Sequence, residues 1–201
     1  MNHRMYMAAA AALTLMAALP ARAQETVEAP PSLVAGKHAF SFDIPQSGGG
    51  AIGGWANLTA RTQLGVRLGA HFRHQRQTAS DSTDYGQTVR DMQLGVEVRR
   101  FMPVSAAVAP FVGGSLFTSF GRQTQDDQFH ELAQSYWGGG ADLGIGVEWF
   151  PVSTVSVGGR LSVDATYSHT RARLDGAPGP GTGNFFEIGT GTSALSLKIY
   201  F

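Results

Sequence analysis

Side chains able to support acyl-transfer chemistry stand close together at Asp164, Thr166, Ser168 and His169. A hydrolase needs a nucleophilic hydroxyl, a base and an orienting carboxylate held in contact. Ser168 and His169 are sequence neighbours, and a continuing strand sends neighbours to opposite faces, which separates them. The plain reading of this set is polarity at the mouth of a loop. His71 and His74 also fall on opposite faces, and the chain has no cysteine to complete a metal site. The glycine triplets at 48–50 and 138–140 are not followed by the residues of a phosphate cradle. Asp81, Asp84, Asp126, Asp127 and Glu131 could hold a divalent cation, but solvated loop acids explain them more simply. No catalytic, cofactor-binding or metal residue is therefore assigned, and no cofactor is expected.

The elements that must carry these residues are read best at 137–149, Trp-Gly-Gly-Gly-Ala-Asp-Leu-Gly-Ile-Gly-Val-Glu-Trp. Odd positions carry Trp137, Gly139, Ala141, Leu143, Ile145, Val147 and Trp149; even positions carry glycine, Asp142 and Glu148. A β-strand sends successive side chains to opposite faces, so one wall is apolar and the other small or charged. The tryptophans stand at the ends of the apolar wall, as in a membrane girdle. At roughly 3.3 Å per residue and a tilt of about 40°, such a strand rises about 30 Å, the thickness of a bilayer core. It reads as a transmembrane strand with lipid on the odd side.

The same alternation recurs along the chain. Strands are expected at about 37–44, 51–58, 63–76, 88–100, 110–122, 134–149, 155–167 and 184–201. Phe40, Phe42 and Ile44 face one way in the first strand. In the third, Leu64, Val66, Leu68, Ala70 and Phe72 oppose Gly65, Arg67, Gly69, His71 and Arg73. Met92, Leu94, Val96 and Val98 form the apolar side of the fourth. The fifth opens at Pro110, a place where proline is tolerated, with Val112, Leu116 and Phe120 outward. In the second strand, Trp55 lies opposite Ile52, Ala56 and Leu58, and the pattern leaves its place open. Connections at 59–62, 101–109 and 150–154 are short; those at 77–87, 123–133 and 168–183 are longer and polar, whereas 45–50 is short.

Residues 1–23 read as a secretory signal peptide: Arg4, an apolar run to Leu19, then Ala21-Arg22-Ala23 before cleavage. The rival reading, an anchoring helix, needs about 20 apolar residues. Residues 24–36, with Pro30 and Pro31, read as a flexible lead-in to a domain at 37–201. Removing Arg4 and Arg22 from the 15 basic residues leaves 13 against 15 acidic, a net charge of −2, which is not a nucleic-acid binder's balance. The 26 glycines suit an interior where backbones crowd.

The last residues, Leu195-Ser196-Leu197-Lys198-Ile199-Tyr200-Phe201, alternate and end on an aromatic. This resembles the C-terminal sorting signal of outer-membrane barrels, which the barrel assembly machinery recognises. Together with the signal peptide and the eight alternating segments, the mature chain resembles a small OmpA/OmpX-type barrel. Pro110-Phe111-Val112-Gly113-Gly114-Ser115-Leu116 is similar to a strand start common among such proteins. The resemblance implies an all-β fold, an eight-stranded antiparallel up-and-down transmembrane β-barrel in the outer membrane of a Gram-negative bacterium. It also implies contact with outer-membrane lipid and lipopolysaccharide, and engagement of the assembly machinery through the strand ending at Phe201.

Inward positions then hold Arg67, Arg73, Arg99, Arg160 and Lys198 against Asp43, Asp91, Glu97, Asp142, Glu148 and Asp164. A barrel this narrow is filled by side chains, and isolated buried ions cost several kcal/mol, so these charges should pair. Neighbouring strands offer Arg67 or Arg73 to Glu97 or Asp91, and Arg160 to Glu148 or Asp142. A salt-bridged plug is preferred to a solute path. The expected role is non-enzymatic: a monomer serving membrane integrity or surface contact through its outer loops, with a surface ligand possible. The alternatives are an enzyme acting on lipid A or phospholipid, although Ser168-His169-Thr170-Arg171 lacks the His-x-Ser-Asn run of the lipid A deacylases, and a soluble periplasmic lipocalin-like barrel with the faces reversed.

Overall fold

The computed structural model describes residues 29–45, 49–78, 84–126, 131–174, 181–190 and 194–201. The expected signal peptide, 1–23, lies outside them. The alternation becomes nine strands: β1 (His38–Pro45), β2 (Gly50–Thr59), β3 (Thr62–Thr78), β4 (Asp84–Phe101), β5 (Val108–Asp126), β6 (Glu131–Val152), β7 (Val155–Leu174), β8 (Gly181–Thr190) and β9 (Ala194–Tyr200). All belong to one antiparallel sheet. Each strand from β1 to β7 pairs with the next. β9 pairs with β7 on one side and β1 on the other, so the pairing returns to its starting strand.

The sheet is strongly staggered. Following registered partners from Asp43 leads through Ala51, Gly69, Gln93, Ser119, Gly138 and Ser168 to Phe185. The partner of Asp43 on its other edge is Ser196, eleven residues beyond Phe185. Such an offset is what tilts the strands of a sheet that closes on itself.

The alternation also sets the faces. Leu143, Ile145, Leu161 and Leu197 are 48%, 66%, 62% and 41% exposed, whereas Arg99 and Glu148 are 3% and 1% exposed. Apolar side chains cover the outside and ions fill the inside, which is the reverse of a soluble lipocalin-like barrel.

Four features differ from the sequence reading. The single strand expected at 184–201 is two, β8 and β9. From Val163↔Thr190 to Arg160↔Ala194 the register advances three residues on β7 and four on the other side, as at a β-bulge, and this exchanges odd for even inward positions.

The outer strands also run further than expected. β3 and β4 pair to Thr78↔Asp84, β5 and β6 to Asp126↔Glu131, and β7 and β8 from Ala172↔Gly181. The described residues of the long loops expected at 77–87, 123–133 and 168–183 are therefore paired strand. Polar composition there marks contact with water; the backbone ladder forms regardless, and threonine and tyrosine suit a strand.

Pro110 is the third residue of β5, not its first, and its carbonyl accepts the Met102 amide at 2.7 Å. Lastly, residues 31–36 of the expected lead-in are packed in place. Pro31–Leu33 form a 3-10 turn in which Ser32 and Leu33 are buried. Asn57 Nδ2 donates to the carbonyls of Ser32 and Val34 at 2.7 and 3.1 Å, and the Gly36 amide donates to Asn57.

Candidate functional site

Tertiary chemistry concentrates on the enclosed face, where alternation along β1–β7 and β9 delivers polar side chains into a narrow space. Glu148 on β6 is the hub. Its Oε1 accepts from Lys198 Nζ at 2.6 Å and Arg99 Nη1 at 2.9 Å. Its Oε2 accepts from the Ser156 and Tyr200 hydroxyls, both at 2.9 Å. Arg99 Nε also donates to Glu97 Oε1 at 2.6 Å. Arg67 bridges Asp43 at 3.0 Å and Glu97 at 3.3 Å. Arg160 lies 3.7 Å from Glu97 and donates to Asp142.

These are four cations and four carboxylates, so the layer is neutral. Each charge has opposite charge within reach, which is the condition for burying ions.

Aromatic rings pack into this layer. The Arg99 guanidinium lies between Trp55 and Phe111, 4.3 and 4.6 Å from their ring centroids, and Lys198 Nζ is 4.0 Å from Trp55. Trp55 thus faces inward, and its Nε1 donates to Ser41 at 2.9 Å. Inward rings fit because each lies across a registered glycine: Trp55↔Gly65 and Phe111↔Gly146 in this layer, Phe117↔Gly140 and Gly121↔Tyr136 beyond it. A Cβ at any of these glycines would run into the facing ring. The inward glycines make room for aromatics on the next strand.

Below the ion layer, at the end holding His38 and Phe201, Leu33, Phe101, Phe111, Phe150 and Tyr200 form an apolar floor. Gln63 links floor to ions, accepting from Lys198 at 2.6 Å and donating to Asn57 at 2.8 Å. Within the ion layer, a cavity of about 20 Å³ is lined by Asp43, Arg160 and Ser196, among others. Asp43 Oδ1, Arg160 Nε and Ser196 Oγ are buried and lack protein partners. Size and polarity match a single-water site. Beyond the layer lies a vestibule of about 400 Å³, lined in part by His71, Asp91, Phe117, Tyr136, Asp142 and Asp164.

The residues considered for catalysis do not converge. Asp164 and Thr166 line the vestibule, and Ser168 is inward with them. His169 is on the opposite face, its Nδ1 2.8 Å from Asn184 Oδ1 and its ring 5.9 Å from Trp137. His71 meets Asp91 at 3.0 Å on the inner side, while His74 meets Thr88 at 3.0 Å on the outer side. Among the described residues, no group of three or more potential ligands gathers as a metal site would require.

Of the expected ion-pair neighbourhoods, Arg67–Glu97 and Arg160–Asp142 form. Asp91 takes His71, and Glu148 takes Arg99 and Lys198 from strands that are not its neighbours. The sequence reading missed Trp55, Gln63, Ser156 and Tyr200 as members of the layer. Their inward parity was visible, but their reach across the interior was not.

No curated protein sequence matches the chain. Among solved structures, a major outer membrane protein from Thermus thermophilus is similar at 14% identity and a TM-score of 0.52, over 82% of this chain and 99% of that one. CarO2 of Acinetobacter baumannii is similar at 11% identity and a TM-score of 0.45, over 83% and 99%. The model of the outer membrane protein beta-barrel domain matches residues 8–199, and the chain belongs to that family.

Proposed function

We propose that residues 37–201 form a closed, eight-stranded, up-and-down transmembrane barrel in which β8 and β9 are one bulged strand. Residues 1–23 direct export, and the strand ending at Phe201 is read by the barrel assembly machinery. The protein is monomeric and non-enzymatic. It holds a plugged barrel in the outer membrane and presents its outer hairpins to lipopolysaccharide and to ligands at the cell surface.

The observation that carries this reading is the neutral ion layer around Glu148, enclosed by a wall whose exterior is apolar. A layer of paired side chains closing a narrow interior favours a structural wall over a solute path. The separation of Ser168 from His169 speaks against the lipid-hydrolysing alternative.

Planar-bilayer recording tests the plug: the purified chain should give no large, steady conductance, and such steps would overturn it. A deletion strain tests the role. Loss of barrier function to detergents or loss of adherence, restored by the intact chain, supports it; unchanged permeability and adherence count against it.

A further inference from the structure

One registered row crosses the outer face of the sheet near the end opposite His38 and Phe201. It reads Phe72, Arg90, Arg122, Ser135, Arg171 and Thr182, each the backbone partner of the next, on β3 to β8. Every member is exposed. The row lies two residues beyond Met92 and Phe120 and borders Trp137 and His169, so it stands just past the edge of the apolar wall. Two residues along a strand span roughly 6.6 Å, a short step from acyl chain to headgroup.

Arg90 and Arg122 are directly opposite each other. Like charges so placed are destabilising unless something between them carries the opposite charge. No carboxylate whose side chain is described stands at an outward position on β3–β8: Asp91, Glu97, Asp142, Glu148 and Asp164 are inward, and Glu187 is registered with inward Thr166. The Arg90 guanidinium is steadied 5.6 Å from the Phe72 ring centroid, which leaves its edge available for donation. Arg171 is two strands from Arg122, about 10 Å away, with the hydroxyl of Ser135 on the strand between them. Guanidinium groups bind phosphate through paired, charge-assisted hydrogen bonds.

We propose that Arg90, Arg122 and Arg171 form a binding row for the phosphate groups of an anionic lipid in the surrounding leaflet. One phosphate sits between Arg90 and Arg122, and a second phosphate of the same or an adjacent lipid is held by Ser135 and Arg171. The proposal rests on the reading that this chain spans the outer membrane with β3–β8 hairpins outward, where the phosphorylated lipid is lipopolysaccharide.

The test uses the full chain refolded into detergent micelles and into vesicles, with lipopolysaccharide as the probe, compared with the same lipid after phosphatase treatment. The triple variant Arg90→Gln, Arg122→Gln, Arg171→Gln should bind about tenfold more weakly or worse, since charge-assisted contacts are lost. Arg61→Gln, at the other end of the sheet, should bind like the native chain. Phosphate removal should weaken the native chain as the triple variant does. Heat-dependent gel migration reports insertion independently. If triple variant and native chain insert and bind equally, or phosphate removal changes nothing, the arginine row is wrong while the barrel stands. If the native chain does not insert, both fall.

Discussion

Arg99 on β4 and Glu148 on β6 are 49 residues apart in sequence, and Arg99 Nη1 lies 2.9 Å from Glu148 Oε1. β5 runs between their strands, and the residues registered with them are small: Gly113 with Arg99 and Ala109 with Glu148. A Cβ at Gly113 would come within 3.3 Å of Arg99 Cγ. The ion pair spans an intervening strand because the two registered positions on it are small, while Phe111 between them packs against Arg99.

Glu148 holds Arg99 and Lys198 together, so its neutralisation leaves buried positive charge unbalanced. Glu148→Gln should lower stability by about 3–5 kcal/mol, the range for removing one partner of a buried pair. Changing Lys198 to Met in the same chain removes one of the orphaned cations and should recover a substantial part of the loss. Denaturant midpoints in micelles, read by heat-dependent gel migration, give both values. A single variant as stable as the native chain would show that the layer adds nothing to folding.

Period-two alternation was enough to separate lipid-facing Leu143 and Ile145 from enclosed Asp142 and Glu148, because parity is a local property of a strand. It also brought Arg67 near Glu97, since β3 and β4 are adjacent. It did not reveal that Lys198 would meet Glu148 or that Trp55 would lie over both Lys198 and Arg99. Those contacts depend on which distant strands the staggered sheet brings to face one another, which no local window contains. The outer hairpins and the packing of Leu33 were hidden for a different reason. Polar strand and polar loop look alike in composition, and the stretch Pro30-Pro31-Ser32-Leu33 has no period to mark that Ser32 and Leu33 are buried.

Gly65 is the space that Trp55 occupies: a Cβ there would collide with the indole ring. Gly65→Ala must push the ring away from Arg99 and Lys198, and overpacking of this kind costs about 1–3 kcal/mol. Gly54→Ala, where an added Cβ meets nothing within 4 Å, is the matched control. Equal denaturant midpoints for the two variants would sink the ring-over-glycine account.

Leu33 is 1% exposed, yet it belongs to a segment outside the strands. Burial of this kind makes Leu33→Ala cost about 2–5 kcal/mol if the lead-in folds together with the sheet. Asn57→Ala should reproduce part of that cost by releasing the Ser32 and Val34 carbonyls. Proteolysis between residues 24 and 36 should become faster in both variants. Unchanged stability and unchanged cleavage would mean that the segment docks without contributing to the fold.

The three tryptophans give a direct test of which face meets lipid. Trp137 and Trp149 are outward, 60% and 54% exposed, at opposite ends of the apolar wall, whereas Trp55 is 3% exposed among ions. In single-tryptophan variants, with the other two changed to Phe, lipids brominated near the headgroup should quench Trp137 and Trp149 strongly, since both lie at the interfacial depth where aromatic belts form. Trp55 should resist quenching by lipid brominated at any depth, because the sheet separates it from the acyl chains and the ion layer excludes solvent. Its emission should also stay insensitive to aqueous iodide in the folded state and become sensitive on unfolding. Strong lipid quenching of Trp55, together with protection of Trp137, would require the faces to be reversed. The ion layer would then be the surface of the molecule, and neither the plug nor the arginine row could exist as described.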